Sequence, residues 1–264
     1  MYRPICNFLL LITMGLGLIP VHLGAQELDE AEGDLEEVIV TAEYRPVSVL
    51  ELPTSVTVFN QQAIERRGAV HLEQLLNLAP NVNLSSGASR GRFVLIRGIG
   101  ERSQFVEPIN PSVGLIIDGM DFTGIGGAAS TLDMQQVEIL RGPQGTLFGA
   151  NALAGLINMV SNGPGDEMNG YASLTVGNYS RLTATAALGG PVSENTGFRL
   201  AVQGNKHDGY IDNIYLDRDT NDIDEFTARG KFNWDVSDDF SVDFTLFYSC
   251  LLYTSPSPRD QRPN

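Results

Sequence analysis

Residues 137–161 read VEILRGPQGTLFGANALAGLINMVS, and the fold follows from how this stretch is read. An apolar strand over 137–140 runs into a turn built on Gly142-Pro143 and Gly145. A small-residue segment through Gly149, Ala150, Ala152, Ala154 and Gly155 then leads into a second apolar run over 156–160. Four glycines within residues 142–155 imply tight turns and close approach of one backbone to another, since glycine tolerates positive φ and carries no Cβ. The spacing Gly142, Gly145, Gly149 is not that of a phosphate loop, and no Lys-Ser or Lys-Thr pair follows it.

Upstream, residues 52–161 alternate short helical and strand patterns. Residues 55–59 read as a strand, Asn60 as the cap of a helical turn over 61–67, and Leu72, Leu75, Leu76 and Ala79 as the apolar stripe of a second helix ended by Pro80. Strands are predicted over 82–84, 93–96, 113–117 and 137–140, separated by Gly- and Ser-rich loops over 85–91, 98–111 and 121–131. The 137–161 run resembles the end of the plug domain of TonB-dependent outer-membrane receptors, where an LRGP…GxxAxxGxIN pattern precedes the first barrel strand. FVLIRGIG at 93–100 and VGLIIDGMDF at 113–122 also resemble segments of that family.

Two motifs compete with this reading. Gly87-Ala88-Ser89-Arg90-Gly91 satisfies G-x-S-x-G, but a strand rather than a helix is predicted to follow it. A hydrolase using Ser89 would also need a His within reach, and downstream of residue 25 only His71 and His207 exist. Gly98-Ile99-Gly100 follows a strand, yet Ser103 fills the third glycine position, which disfavours a dinucleotide site. No His/Cys cluster has metal-ligand spacing, so neither a metal, a cofactor nor catalysis is expected.

The chain has 264 residues, 42% apolar and 19% charged, with a formal net charge of -15, a balance that argues against nucleic-acid binding. Residues 1–25 read as a secretory signal: Arg3, an apolar run over 8–19, and a Leu23-Gly24-Ala25 cleavage site. Cys6 would leave with the signal. Residues 27–37 hold seven acidic residues in eleven, a solvated leader. Directly behind it, Glu37, Val38, Ile39, Val40, Thr41 and Ala42 place three β-branched residues in a row with no obvious core to enter. They read either as an ordinary edge strand or as a loosely held docking strand captured by a partner through main-chain pairing. EEVIVTA at 36–42 resembles the TonB box of the receptor family.

Beyond Gly170 the period becomes two. Ala172, Leu174 and Val176 alternate with Tyr171, Ser173 and Thr175, and the same pattern recurs around 182–188, 198–202, 226–234 and 240–248, with an acidic loop over 208–224. This is the pattern of transmembrane β-strands with apolar residues toward lipid, and also that of a soluble sandwich with one wet face. The upstream resemblance selects the membrane. Residues 250–264, CLLYTSPSPRDQRPN, resemble translated adapter sequence and hold three closely spaced prolines. They are expected to be a foreign tail without regular structure.

The expected architecture is therefore an α+β plug over 52–165, after a leader and TonB box over 26–51, followed by the first antiparallel strands of an incomplete transmembrane β-barrel over 170–249. Barrels of this kind need about 22 strands. The resemblance implies a non-enzymatic receptor in the outer membrane, energised by TonB with ExbB and ExbD, for a ferric siderophore, cobalamin or another scarce chelate. A non-transporting outer-membrane binding protein or adhesin is the alternative. The short leader disfavours an additional periplasmic signalling domain. By the same resemblance Arg97 and Arg141, the arginines of the IRG and LRGP segments, contact the barrel wall, and Arg90, Arg102, Gln104, Phe105 and Phe122 are candidate ligand contacts. Each of those five is explained equally well as a solvated loop residue.

Overall fold

The apolar stretches between residues 55 and 161 converge on one mixed sheet in the computed structural model, which describes residues 39–41, 47–85, 93–101, 111–125, 128–213, 218–237 and 239–253. Two-residue strands β1 (Ile39–Val40) and β2 (Val47–Ser48) pair antiparallel ahead of it. The sheet is built from β3 (Ser55–Asn60), β6 (Val113–Ile117), β7 (Met120–Asp121), β8 (Met134–Arg141) and β9 (Gly155–Ser161). A separate pair, β4 (Val82–Ser85) and β5 (Phe93–Ile96), packs beside it. Strand order is β3-β8-β9-β6-β7, antiparallel except where β6 runs parallel to β9.

Local chemistry accounts for the connections. Asn60 accepts a hydrogen bond from the Ala63 amide at 2.9 Å and so caps α1 (Gln61–Arg67), as expected. Asp118 and Gly119 both have positive φ, 49° and 79°, the requirement of a type I′ turn, which Asp-Gly meets at low cost between β6 and β7. The second helix is shorter than its stripe: α2 covers only Glu73–Leu76. Leu78 and Ala79 then bond back to Leu75 and Leu76, three residues earlier, as the chain tightens before Pro80. The stripe is nonetheless the core face, with Leu75 0% and Leu76 1% exposed among a cluster that includes Ile96, Val137, Ile139, Ile157 and Met159.

The glycine-rich stretch folds into α3 (Gly145–Phe148) and a 3-10 turn over Gly149–Asn151 between the antiparallel neighbours β8 and β9. Gly155 is the point of closest approach: a Cβ there would lie 2.4 Å from the Leu140 carbonyl oxygen and 2.6 Å from Ile96 Cδ1. No larger residue fits without moving backbone.

The second sheet is a wall of consecutive antiparallel strands. It comprises β10 (Asn169–Gly177), β11 (Arg181–Ser193), β12 (Thr196–His207), β15 (Ile223–Ser237) and β16 (Phe240–Tyr253). The period-two expectation holds here. Leu174, Val176, Leu200, Phe244 and Leu246 are 56–73% exposed on one face, while Thr183, Arg199, Asn205, Glu225, Thr227 and Arg229 are buried on the other. Polar residues inside and apolar residues outside is the reverse of a soluble sheet and the arrangement of a lipid-facing wall.

Two expectations need correction. The acidic loop expected over 208–224 contains a hairpin, β13 (Ile211–Asn213) with β14 (Arg218–Thr220), and β15 already begins at Ile223. The tail expected to lose structure at Cys250 instead continues β16 through Cys250, Leu251, Leu252 and Tyr253, paired with Phe226 back to Ile223. The reason is that the first proline of the tail is Pro256, so these four residues keep every ladder donor. Residues 254–264 lie outside the described residues.

Candidate functional site

The segment proposed for docking does find a core. Val40 is 2% exposed, and β1 pairs Ile39 with Ser48 and Val40 with Val47. Two side chains of β8 then hold its backbone. Gln136 Nε2 donates to the Ile39 carbonyl at 3.2 Å, and the Thr41 amide and hydroxyl donate to Glu138 Oε1 at 2.7 and 3.0 Å. Glu138 is fully buried and is held in place by Gln136 Nε2 at 2.5 Å on Oε1 and Asn158 Nδ2 at 3.0 Å on Oε2. In the conformation seen here Ile39 to Thr41 are tied to β8, an interior strand of the sheet, and the expectation that the segment is loosely held in at least one state concerns another conformation. Glu37, Val38 and Ala42 lie outside the described residues.

Arg97 occupies a tight turn with φ 54°, flanked by the reciprocal amide–carbonyl bonds of Ile96 and Ile99, and its side chain is exposed. Arg141, at the end of β8, donates to the Pro80 carbonyl at 3.0 Å and the Val56 carbonyl at 3.3 Å. Its Nε is buried and without a partner among the described residues. Burial, and then the nearby Arg97 charge, push the Arg141 guanidinium below its ordinary pKa. The two cations stand near each other at one end of the inner sheet.

The contacts from inner sheet to wall involve residues that sequence reasoning did not single out. Arg199 on β12 forms a bidentate pair with Asp133, Nε to Oδ2 at 2.8 Å and Nη2 to Oδ1 at 2.7 Å, with both side chains buried. Lys231 on β15 bonds Asp118 at 3.0 Å and the Ser161 carbonyl at 3.1 Å. Arg229 donates to the Leu132 carbonyl and lies 5.5 Å from the Phe247 ring centroid. Asp118 and Asp133 both hold left-handed backbone, φ 49° and 50°, which short polar side chains tolerate best. One signal was available. Arg199, Arg229 and Lys231 all fall on the inward phase of strands whose outward phase is apolar.

Among the candidate ligand contacts, Phe122 is half-buried against the inner core and its amide bonds the Leu115 carbonyl at 2.8 Å. Arg90, Arg102, Gln104 and Phe105 lie outside the described residues, as does Ser89. Beside Phe122, burial raises the Asp121 carboxyl, but hydrogen bonds from Thr123 and Asn151 outweigh it and leave the pKa below the ordinary value. His71 is buried beside Glu73, whose amide donates to its Nδ1 at 3.3 Å. Among the described residues no group of three His, Cys, Asp or Glu could hold a metal ion.

Residues 48–156 match the family model described as "TonB-dependent Receptor Plug Domain". The chain carries a TonB-dependent receptor plug domain. The inner sheet is that plug, and the wall is the incomplete beginning of its barrel. The pesticin receptor of Yersinia pestis is 28% identical over 184 residues, covering 69% of this chain and 27% of that protein. The vitamin B12 transporter BtuB of Vibrio vulnificus is 28% identical over 248 residues, covering 86% and 39%. Among solved structures, the ferric yersiniabactin uptake receptor FyuA from Yersinia pestis superposes with a TM-score of 0.67 at 25% identity, over 75% of this chain and 32% of that one. The ferripyoverdine receptor of Pseudomonas aeruginosa shares the fold, with a TM-score of 0.66 at 18% identity over 80% and 27%. The chain therefore spans between about a quarter and two fifths of these relatives. By name these relatives are receptors and a transporter, and none is named as an enzyme.

Proposed function

We propose that this chain is the N-terminal part of an outer-membrane receptor that imports a scarce chelate, a ferric siderophore or cobalamin, using energy delivered by TonB with ExbB and ExbD. The observation that carries the reading is a β-branched extended segment, Ile39 to Thr41, seated directly on the plug sheet, with the plug in turn bonded to a lipid-facing wall. A pull on that segment reaches the plug through Glu138 and β8. Relatives described as a vitamin B12 transporter and a ferric enterobactin receptor support the ligand class.

Short connections join β11 to β12 and β15 to β16, whereas the β13–β14 hairpin lies in the longer connection at the opposite end of the strands. By the usual asymmetry of such barrels the short turns face the periplasm and the longer loops the exterior. Arg90, Arg102, Gln104, Phe105 and Phe122 remain the residues proposed to meet ligand. The test is uptake by cells expressing the full-length receptor, using radiolabelled ferric siderophores and cobalamin, with and without TonB. Receptor- and TonB-dependent accumulation of at least one probe is expected. Equal accumulation in cells lacking TonB contradicts the reading.

A further inference from the structure

In extended chain, the carbonyl of one residue and the amide of the residue two further on point to the same side. Those are the groups through which an added strand would pair with Ile39 and Thr41. Both are already in use. The Ile39 carbonyl takes a proton donor from Gln136, and the Thr41 amide gives its hydrogen to Glu138. Gln136 and Glu138 are themselves two apart on β8 and therefore project from one face, so their spacing matches that of the groups they hold. A side-chain amide stands where a neighbouring strand would offer N–H, and a carboxylate stands where it would offer C=O. Meanwhile β2 pairs with Ile39 and Val40, so an incoming strand meets a segment that is already laddered.

We propose that Gln136 and Glu138 are an intramolecular competitor for the docking partner: they imitate a paired strand, and TonB captures the segment only by displacing them. This inference rests on reading Ile39 to Thr41 as part of the docking strand. Glu138 supplies most of the hold, because it is buried, accepts from both the amide and the hydroxyl of Thr41, and is kept in register by Asn158 on β9. Hydrogen bonds to an ionised acceptor are stronger than neutral ones. A partner that binds only the released segment has its apparent affinity reduced by the released fraction, so weakening the hold tightens binding.

The experiment uses purified full-length receptor, with Gln136→Ala and Glu138→Gln as variants and the soluble periplasmic domain of TonB as the probe. Amide hydrogen exchange over residues 39–41 and affinity for the TonB domain are both read, without transport ligand. Faster exchange in both variants is expected, with binding about tenfold tighter for Glu138→Gln and a few-fold tighter for Gln136→Ala. Wild-type exchange and affinity in both variants would overturn the proposal. So would faster exchange with unchanged affinity, since the side chains would then hold the strand without competing for it. Ile39→Pro added to Glu138→Gln separates the two readings. Lost binding confirms that this strand is what TonB takes, and retained tight binding removes the docking assignment itself.

Discussion

Replacing Asp133 by Asn tests how the plug is attached to its wall. The change keeps shape and removes charge from a site where Arg199 donates twice, at 2.7 and 2.8 Å, and where Asn162 Nδ2 donates a third bond at 3.0 Å. The Asp133 side chain is 1% exposed and that of Arg199 8%, so water cannot replace the lost carboxylate. Breaking a buried pair by neutralising one partner costs about 3–5 kcal/mol, most of it the penalty of leaving the other charge unpaired. At 1.4 kcal/mol per tenfold, that loss raises the equilibrium population in which the plug has opened from the wall by roughly two to three and a half decades. Hydrogen exchange of the β8 and β9 amides in full-length receptor is the assay. Combining Asp133→Asn with Arg199→Met closes a double-mutant cycle, and the double variant should be less damaged than the sum of the singles. A single-variant loss under about 1 kcal/mol, together with an additive cycle, would refute the claim that this pair anchors the plug.

Gly155→Ala should destabilise the plug by about 1–3 kcal/mol, because the clash at 2.4 Å is with backbone; a chemical denaturation midpoint indistinguishable from wild type would contradict this. Leu200→Arg, on the outward face and 56% exposed, should impair insertion by about 2–4 kcal/mol if it lies near mid-membrane, measured as folded fraction in lipid vesicles. Arg at the neighbouring Gln203, on the inward face, should insert normally. Asp121 has a depressed pKa, so its hold on the Thr123 turn is complete above the ordinary carboxylate value near 4 and is lost as pH falls through the lower folded value. Asp121→Asn should flatten that acid limb in a pH series of Thr123 amide exchange.

The strands over Phe93–Ile96 and Val113–Ile117 lie where their apolar runs predict, because both are buried stretches whose ends are set by polar or turn residues. Helix α1 is equally direct, with Asn60 as its cap and Gly68 in left-handed conformation closing it. Strand β8 is longer than its apolar run, since Met134 and Gln136 pair with β9 although Gln135 and Gln136 carry no hydrophobic signal. The cationic partners of Asp118 and Asp133 lie 66 to 113 residues further along the chain, and no local pattern encodes which inward-facing cation meets which turn. The Gln136–Glu138 hold on Ile39 and Thr41 spans 97 residues and was unreadable for the same reason. The wall's apolar face was legible as a period, while its facing toward lipid came only from the upstream resemblance; the plug packed on the polar side gives it a structural basis.

The central claim is that Ile39 and its neighbours carry the energy input, and paired binding and uptake by cells with full-length Ile39→Pro receptor tests it most directly. Proline removes the amide hydrogen that a captured strand needs, whereas Ile39→Val leaves the main chain intact. With the radiolabelled probe that the wild-type receptor imports, Ile39→Pro should bind at the cell surface as wild type does and accumulate nothing, while Ile39→Val should do both. Normal accumulation in Ile39→Pro cells would contradict the account, because transport would then proceed without this strand being captured.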